Sequence, residues 1–424
     1  MPISQVLYTG LMYLLTPLFL LRLYWKGRLN PAYRQRIRER LGWVTPSNQA
    51  SIWVHAVSVG ETMAAKPLVD ALLMHYPDKT VWLTSTTPTG SATVQRLWGE
   101  RVRHSYCPYD LPDALQRFIK RSQPQLCIIL ETEIWPNLFY ACQHHQIPLL
   151  MANACLSERS LIGYRKVHRL IKTTLNRATK IMTRSAVDAT RLTSLGVLPE
   201  KLKVCGNLKF ELTIPESLDA QTQALRASLQ GRRIWVAAST HSGEDDIILD
   251  AFQGLYAQYP DVLLILVPRH PERFASVAQL CEQSGLTWQR RSQHTAITAQ
   301  TAILLGDTMG ELLLWYAIAD LALIGNSLLA PGGGHNPLEA AAFAVPILTG
   351  RYTQNFVDMY PALVAQNAAL VVSDKEALLT CLHEWMREPL AYYQKGQAAR
   401  RFFEQNQGAL ACILVEINQV LAAR

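Results

Sequence analysis

The sequence predicts an α/β protein: two Rossmann-like domains, preceded by an apolar, membrane-associated helix. Three observations carry this reading. Residues 3–21, "ISQVLYTGLMYLLTPLFLL", contain no charged side chain. From residue 51 onward, short apolar runs alternate with amphipathic stretches, the pattern of a parallel sheet covered by helices. A polar stretch at 213–231, "TIPESLDAQTQALRASLQG", interrupts that alternation, which then restarts. The predicted boundaries are a helix at 1–25, a first domain at 26–212, a linker at 213–231 and a second domain at 232–424. The last helix is free to pack back on the first domain.

The 424 residues suffice for two cores, and a composition 49% hydrophobic and 17% charged suits a globular chain. The net charge of +8 is gathered in two zones. Residues 1–40 hold seven Lys/Arg against Glu39 alone, and residues 158–184 hold eight against Glu158 alone. The remainder is net acidic. No interleaving of aromatic and basic residues suggests a base-stacking platform, which argues against a nucleic-acid partner.

The 19 uncharged N-terminal residues are just long enough to cross a bilayer. They lack a basic leading region and a small-residue cleavage site, so they do not read as a removed signal peptide. The basic cluster that follows would keep everything downstream in the cytoplasm, and Tyr24 and Trp25 stand where interfacial aromatics belong. Gly10 and Pro17 weaken the span. The helix therefore either crosses the bilayer or lies on it.

In the first half, strands are expected at 51–57, 80–86, 125–130, 147–152, 179–183 and 202–206. In the second, they are expected at 233–239, 262–267, 302–305, 320–324, 345–348 and 368–372. The eight cysteines (107, 127, 142, 155, 205, 281, 381, 412) form no CxxC pair. Buried free thiols in a reducing compartment are expected, and a zinc site is not.

Ligands in doubly wound folds bind beyond the carboxyl ends of the strands, so residues there are the candidates. "WVHAVSVGE" ends a strand and delivers Glu61. "QLCIILETEIWPNL" runs from a buried strand into Glu131-Thr132-Glu133. Each glutamate singly is read as an acid favouring a helix start; together at the ends of one sheet they would face one crevice, where a tuned carboxylate acts as a base. "KVCGNLKFEL" places Lys209 at the end of the first domain, either as a surface charge or to neutralise negative charge. In the second half, "VLLILVPRHPER" ends a strand with Pro268-Arg269-His270, an arginine suited to phosphate. "GDTMGELLLWY" opens a helix at Met309-Gly310-Glu311. "PGGGHNPLEAA" offers three glycines, Asn336 as a helix cap, Pro337 in the first turn, then Leu338 and Glu339, the last placed to accept hydroxyl hydrogen bonds. "AASTHSGEDD" is a further strand-to-helix turn, with Ser239, Thr240, His241 and Glu244 expected to face the cleft. None of these spacings is a Walker loop or GxGxxG.

The ordered set "HAVSVGE", "TSTTPTGS", "YCPYDLP", "ETEIWPNL", "GNLKF", "ASTHSGE", "VPRHPERF", "GDTMGELLLWY", "GGHNPLEAA" and "NQGA" resembles the 3-deoxy-D-manno-octulosonic acid (Kdo) transferases of Gram-negative bacteria. The resemblance implies a GT-B glycosyltransferase on the cytoplasmic face of the inner membrane, transferring Kdo from CMP-Kdo to the lipid A precursor lipid IVA. It implies Glu61 as catalytic base and Glu131 and Lys209 in transition-state stabilisation. CMP-Kdo would be held by Pro268, Arg269, Met309, Gly310, Glu311, Asn336, Pro337, Leu338 and Glu339. No Asp-x-Asp motif appears at a strand end, so neither a divalent cation nor another cofactor is implied. The basic stretch at 158–184 would meet anionic headgroups or acceptor phosphates, or is a solvated helix face. The family often has Arg where this chain has Cys155, and Gly where it has Asn326. A GT-B nucleotide-sugar epimerase, sharing the fold but acting on soluble substrate, is the alternative.

Overall fold

The computed structural model describes residues 2–229 and 231–423. It divides into two compact units, 1–211 with 407–424 and 212–406. The first opens with α1 (Ile3–Lys26), a single 24-residue helix that continues through Pro17. Its sheet comprises β1 (Ser51–His55), β2 (Thr80–Ser85), β3 (Arg103–Tyr106), β4 (Pro124–Leu130), β5 (Leu149–Ala154), β6 (Lys180–Thr183) and β7 (Leu202–Val204). All pairings are parallel, in the order β3-β2-β1-β4-β5-β6-β7.

The second unit holds β8 (Ile234–Thr240), β9 (Leu263–Pro268), β10 (Trp288–Arg290), β11 (Ile303–Leu305), β12 (Leu321–Ile324), β13 (Ile347–Thr349) and β14 (Ala369–Val371). These too are all parallel, in the order β10-β11-β9-β8-β12-β13-β14. In each sheet the strand order reverses beside the unit's first strand, at β1/β4 and at β8/β12. Helices leave to opposite faces there and open a crevice at the carboxyl ends.

The central strands are buried on both faces, which is why they read as continuous apolar runs rather than alternating ones. In the first unit Trp53 points into a core with Phe118 and Phe139, while its neighbours Ile52 and Val54 join the opposite core with Leu68 and Leu83. The terminal helix Ala409–Ala422 adds Ala409, Ile413 and Ile417 to that second core. Lys203 pairs with Glu416 at 2.7 Å, and Cys205 is joined to Cys412, 207 residues away in sequence. This corrects the expectation that all eight cysteines are free thiols; the other six are.

Two further differences separate the structure from the sequence reading. Residues 213–231, expected as a connector, contain a 12-residue helix, Ser217–Ser228, in the second unit, tied to that unit by Arg226–Asp320 at 2.9 Å. The edge strands β3 and β10 are not foreseen by the sequence pattern, because "RHSY" and "WQR" carry no apolar run.

Candidate active site

In the first unit the carboxyl ends of β1 and β4 stand side by side. After His55 the chain turns into the helix Val59–Ala64, capped by Ser58. The Glu61 amide donates to Ser58 Oγ at 3.3 Å, and Glu61 Oε2 accepts from the Val57 amide at 2.6 Å. The Ser58 hydroxyl donates to Oε1 at 3.1 Å. This is a reciprocal capping arrangement, so the helix-end role of Glu61 is physically real. It does not account for the carboxyl's state. The residue is 8% exposed. Burial pushes the carboxyl up to about 7 against the Val57 bond, and the charges of Glu133 and Glu131 push the same way. A solvated helix-end acid would stay fully ionised; this one is poised at neutrality.

Glu131 follows β4 in the left-handed conformation, φ 55°, its amide donating to the Ala152 carbonyl of β5 at 2.9 Å. A non-glycine residue there costs about 1–3 kcal/mol and breaks the strand's alternation. Thr132 clamps the turn: its hydroxyl donates to the Cys155 carbonyl, and the Cys155 amide donates back at 3.2 Å. Glu133 accepts from the Trp135 indole at 2.8 Å, and burial raises its carboxyl. The Trp135 ring lies edge-on to His55 at 5.1 Å. Burial holds the His55 imidazole at about 4, hence neutral.

Lys209 lies on the short turn Leu208–Phe210. The Leu208 amide donates to Asn153 Oδ1 at 2.9 Å, which fixes this turn against β5. Half-buried Lys209 therefore stands at the carboxyl edge of the sheet that carries Glu61 and Glu131.

Glu133, to which the sequence motif alone assigns no role, tunes Glu61. Removing its charge in Glu133→Gln should lower the Glu61 pKa, because a neighbouring negative charge disfavours ionisation. The acid limb of kcat/KM, expected near pH 7, should move to lower pH, since that limb reports the free enzyme. A pH–rate profile of the variant checks this; an unmoved limb means that the Glu133 charge does not reach Glu61 or that Glu61 does not set the limb.

In the second unit the turn after β8 is built differently from expectation. Glu244, expected to face a cleft, is 1% exposed. Its carboxylate accepts from the amides of His241, Asn326, Ser327 and Leu328 at 2.7–2.9 Å. Thr240 is also buried, its hydroxyl donating to Asp245 at 2.5 Å. Glu244 holds the turns after β8 and β12 together, while the Thr240 hydroxyl bonds within its own turn and helix start. Asn326 has φ 58°, a conformation that asparagine tolerates better than most residues.

Around these turns charge gathers. His241 Nε2 lies 2.9 Å from His335 Nε2, and the His270 ring stands edge-on to His241 at 5.2 Å. Burial, with help from His241 and Arg269, holds His335 at about 4. Arg269 is exposed directly after Pro268, the last residue of β9. Burial pushes the half-buried Glu339 up to about 7, and Arg269 works in the opposite direction. The structure thus brings Arg269 and Glu339 together with three histidines. Sequence reasoning passes over His335, although it adjoins Asn336 in the glycine-rich turn.

Asn336 Oδ1 accepts from the Leu338 amide at 3.1 Å, so it caps as expected, but the helix Leu338–Ala342 has only five residues and Pro337 stands just outside it. Gly333, at φ 145°, holds a conformation closed to other residues. Glu311 is already engaged: Arg291 grips both its oxygens at 2.7–3.1 Å, and Thr308 bonds to it. Burial works against ionisation there, yet these bonds leave the carboxyl below its ordinary value. Met309 is exposed and Gly310 has φ 90° in the same turn, after β11.

A family model described as 3-deoxy-D-manno-octulosonic-acid transferase (kdotransferase) matches residues 35–212. A 3-deoxy-D-manno-octulosonic acid transferase of Haemophilus influenzae is 40% identical over 412 residues, 96% of each chain. The chain belongs to the Kdo transferase family. A Kdo transferase of Bordetella pertussis is 35% identical over 369 residues, 85% of each chain. Among solved structures, a UDP-GlcNAc 2-epimerase from Neisseria meningitidis, bound to UDP-GlcNAc, superposes with a TM-score of 0.56 at 13% identity, over 89% of this chain and 100% of the other. That likeness is one of fold, the GT-B class of two parallel α/β units. Membership of the Kdo transferase family, and not the fold, separates this chain from the epimerases.

Proposed function

We propose that this chain is an inverting glycosyltransferase that moves Kdo from CMP-Kdo to lipid IVA at the cytoplasmic face of the inner membrane, without a metal or other cofactor. The observation that supports it best is the Glu61 carboxyl, raised to about 7 at the switch point of the first sheet with Glu131 at the adjacent strand end. In this reading Glu61 takes the proton of the acceptor hydroxyl as that oxygen bonds to the anomeric carbon. The bond from that carbon to the CMP phosphate breaks, and CMP leaves with the electron pair. In the same reading the Glu131 carboxylate stabilises positive charge at the anomeric carbon, and the Lys209 ammonium offsets the sugar's own carboxylate.

The exposed guanidinium of Arg269 suits the single bridging phosphate of CMP-Kdo. Met309-Gly310-Glu311 and Asn336-Pro337-Leu338-Glu339 complete the nucleotide site. Glu339 accepts from sugar hydroxyls, and its carboxyl, raised by burial, is near neutrality before the sugar arrives. The test is the mass of the product formed from CMP-Kdo and lipid IVA. Lipid IVA carrying added Kdo is expected, and release of free sugar alone overturns the reading.

Glu339→Ala should weaken CMP binding about tenfold, the size of one lost hydrogen bond to a charged group. Titration calorimetry measures it. Unchanged affinity removes Glu339 from the site.

A further inference from the structure

The N-terminal helix is docked on its own domain by the wrong side for a membrane span. Its polar residues face the protein. Gln5 is fully buried, its amide donating to the Pro136 carbonyl and to Asn137 Oδ1, both at 3.2 Å. The Thr9 hydroxyl donates to the same Oδ1 at 2.8 Å, and the Tyr8 hydroxyl donates to Asp110 Oδ2 at 2.9 Å. Further along the helix, Phe19 lies against the Tyr109 ring at 5.9 Å. At the far end, Arg34 stacks over Tyr24 at 4.1 Å and donates to its carbonyl. The helix is therefore held at both ends and in the middle.

The opposite stripe is apolar and bare. Ile3, Leu7, Leu11, Leu14, Leu18 and Leu21 are 51–80% exposed and recur at helical spacing. This distribution is inverted relative to a soluble surface helix, and among the described residues no neighbour covers it. The first basic zone exposes Arg22 and Lys26 on the same helix, and Arg28 and Arg38 after it. The helix His168–Leu175 touches α1 and, with Glu158–Arg165 before it, adds exposed Arg159, Arg165, Lys166 and Arg169 around exposed Ile162 and Val167.

We infer that α1 lies in the plane of an anionic lipid surface, its leucine stripe in the acyl boundary and both basic zones on the headgroups, and that it does not cross the bilayer. If α1 spanned while docked, Asp110, Asn137 and the turns around them would be carried to hydrocarbon depth, where irregular lipid-exposed backbone is not tolerated. If it spanned undocked, Gln5, Tyr8 and Thr9 would exchange buried partners for lipid. Lying flat, it keeps every one of these bonds and covers the stripe. The socket has a consequence for function. Asn137 opens the helix Pro136–His144, which follows Glu131–Trp135 directly, so the anchor grips the element next to the candidate catalytic turn. It thereby sets that turn's height above the lipid, where a lipid acceptor presents its sugar. This last step rests on the proposed lipid acceptor; the in-plane placement does not.

The experiment places a fluorescent amino acid at Leu7, Leu14 or Leu21, one at a time, in the full-length protein on vesicles of phosphatidylethanolamine with phosphatidylglycerol. Lipids brominated at shallow or deep chain positions serve as quenchers. An in-plane helix gives equal, shallow quenching at all three sites. Deep quenching at Leu14 with shallow quenching at Leu7 and Leu21 means a span and overturns the inference alone. No sedimentation with vesicles overturns the membrane reading with it. Omitting phosphatidylglycerol should weaken binding at least about tenfold, since each cation near an anionic surface contributes. Undiminished binding overturns the headgroup role of the basic zones.

Discussion

Replacing Glu61 by glutamine is expected to lower the initial rate of Kdo transfer by about 10²–10⁴-fold, the usual contribution of a positioned general base. The glutamine keeps the size of the side chain and an oxygen that accepts from the Val57 amide, so the cap of Val59–Ala64 survives. It cannot take the acceptor's proton. CMP affinity should be unchanged, because the residues proposed to hold the nucleotide lie on the other unit.

Stability gives an independent check on the same carboxyl. Its folded pKa, about 7, lies above the ordinary 4.5. The folded state thus binds the proton more tightly than the unfolded chain. The associated stability is fully present below pH 4.5 and is lost as pH rises through 7. Glutamine carries no such dependence. The melting temperature of the Glu61→Gln variant, measured relative to the parent, should therefore climb from mildly acidic to mildly alkaline pH. A catalytic loss with a flat difference would mean that Glu61 ionises normally and that its cap alone explains its burial. Near-normal turnover would pass the base's role to Glu131.

The central strands and the residues at their ends are legible in sequence for one physical reason. A strand covered on both faces must be apolar throughout, so "SIWVH", "QLCIIL" and "LLILVP" announce themselves, and a charge directly after such a run marks the carboxyl edge. Glu131 and Arg269 are found this way, and Glu61 at the helix start that follows the first of these runs. The edge strands β3 and β10 escape because "RHSY" and "WQR" carry no apolar run, unlike the edge strands β7 and β14, which are expected at 202–206 and 368–372. Pairings across long separations also escape. Gln5 with Asn137, Cys205 with Cys412 and Glu244 with Leu328 leave no local pattern. For the same reason nothing in "STHSGE" separates the half-buried His241 from the fully buried Glu244. Glu244 reads as a cleft residue because a carboxylate that satisfies four amides and one that awaits a ligand look alike in sequence.

"PRHPER" poses that ambiguity most sharply, with two arginines four residues apart, and their variants should fail in opposite ways. Arg269 is exposed, and its charge acts on the half-buried Glu339. Arg273 turns inward, bonding to Asp245 and donating to the Thr240 carbonyl at 2.7 Å, with Asp245 fully buried. Arg269→Ala is expected to weaken CMP binding with unchanged melting. Arg273→Met is expected to destabilise the second unit by about 3–5 kcal/mol, because it strands a buried carboxylate, whereas the pair itself adds little net stability. For a unit of this size that is a fall of roughly 10 °C in melting temperature. Burial already raises the Asp245 carboxyl, against the bonds from Thr240 and Arg273, and losing Arg273 raises it further. A folded pKa above the unfolded one makes stability fall as pH rises. The deficit of Arg273→Met should accordingly be larger at alkaline than at acidic pH, and Asp245→Asn in the same chain should recover part of it. Amide exchange locates the damage: protection should fall in β8 and β9 and hold in β1 and β4. Equal protection in both sheets, or a deficit indifferent to pH, would show that Asp245 is satisfied without its arginine.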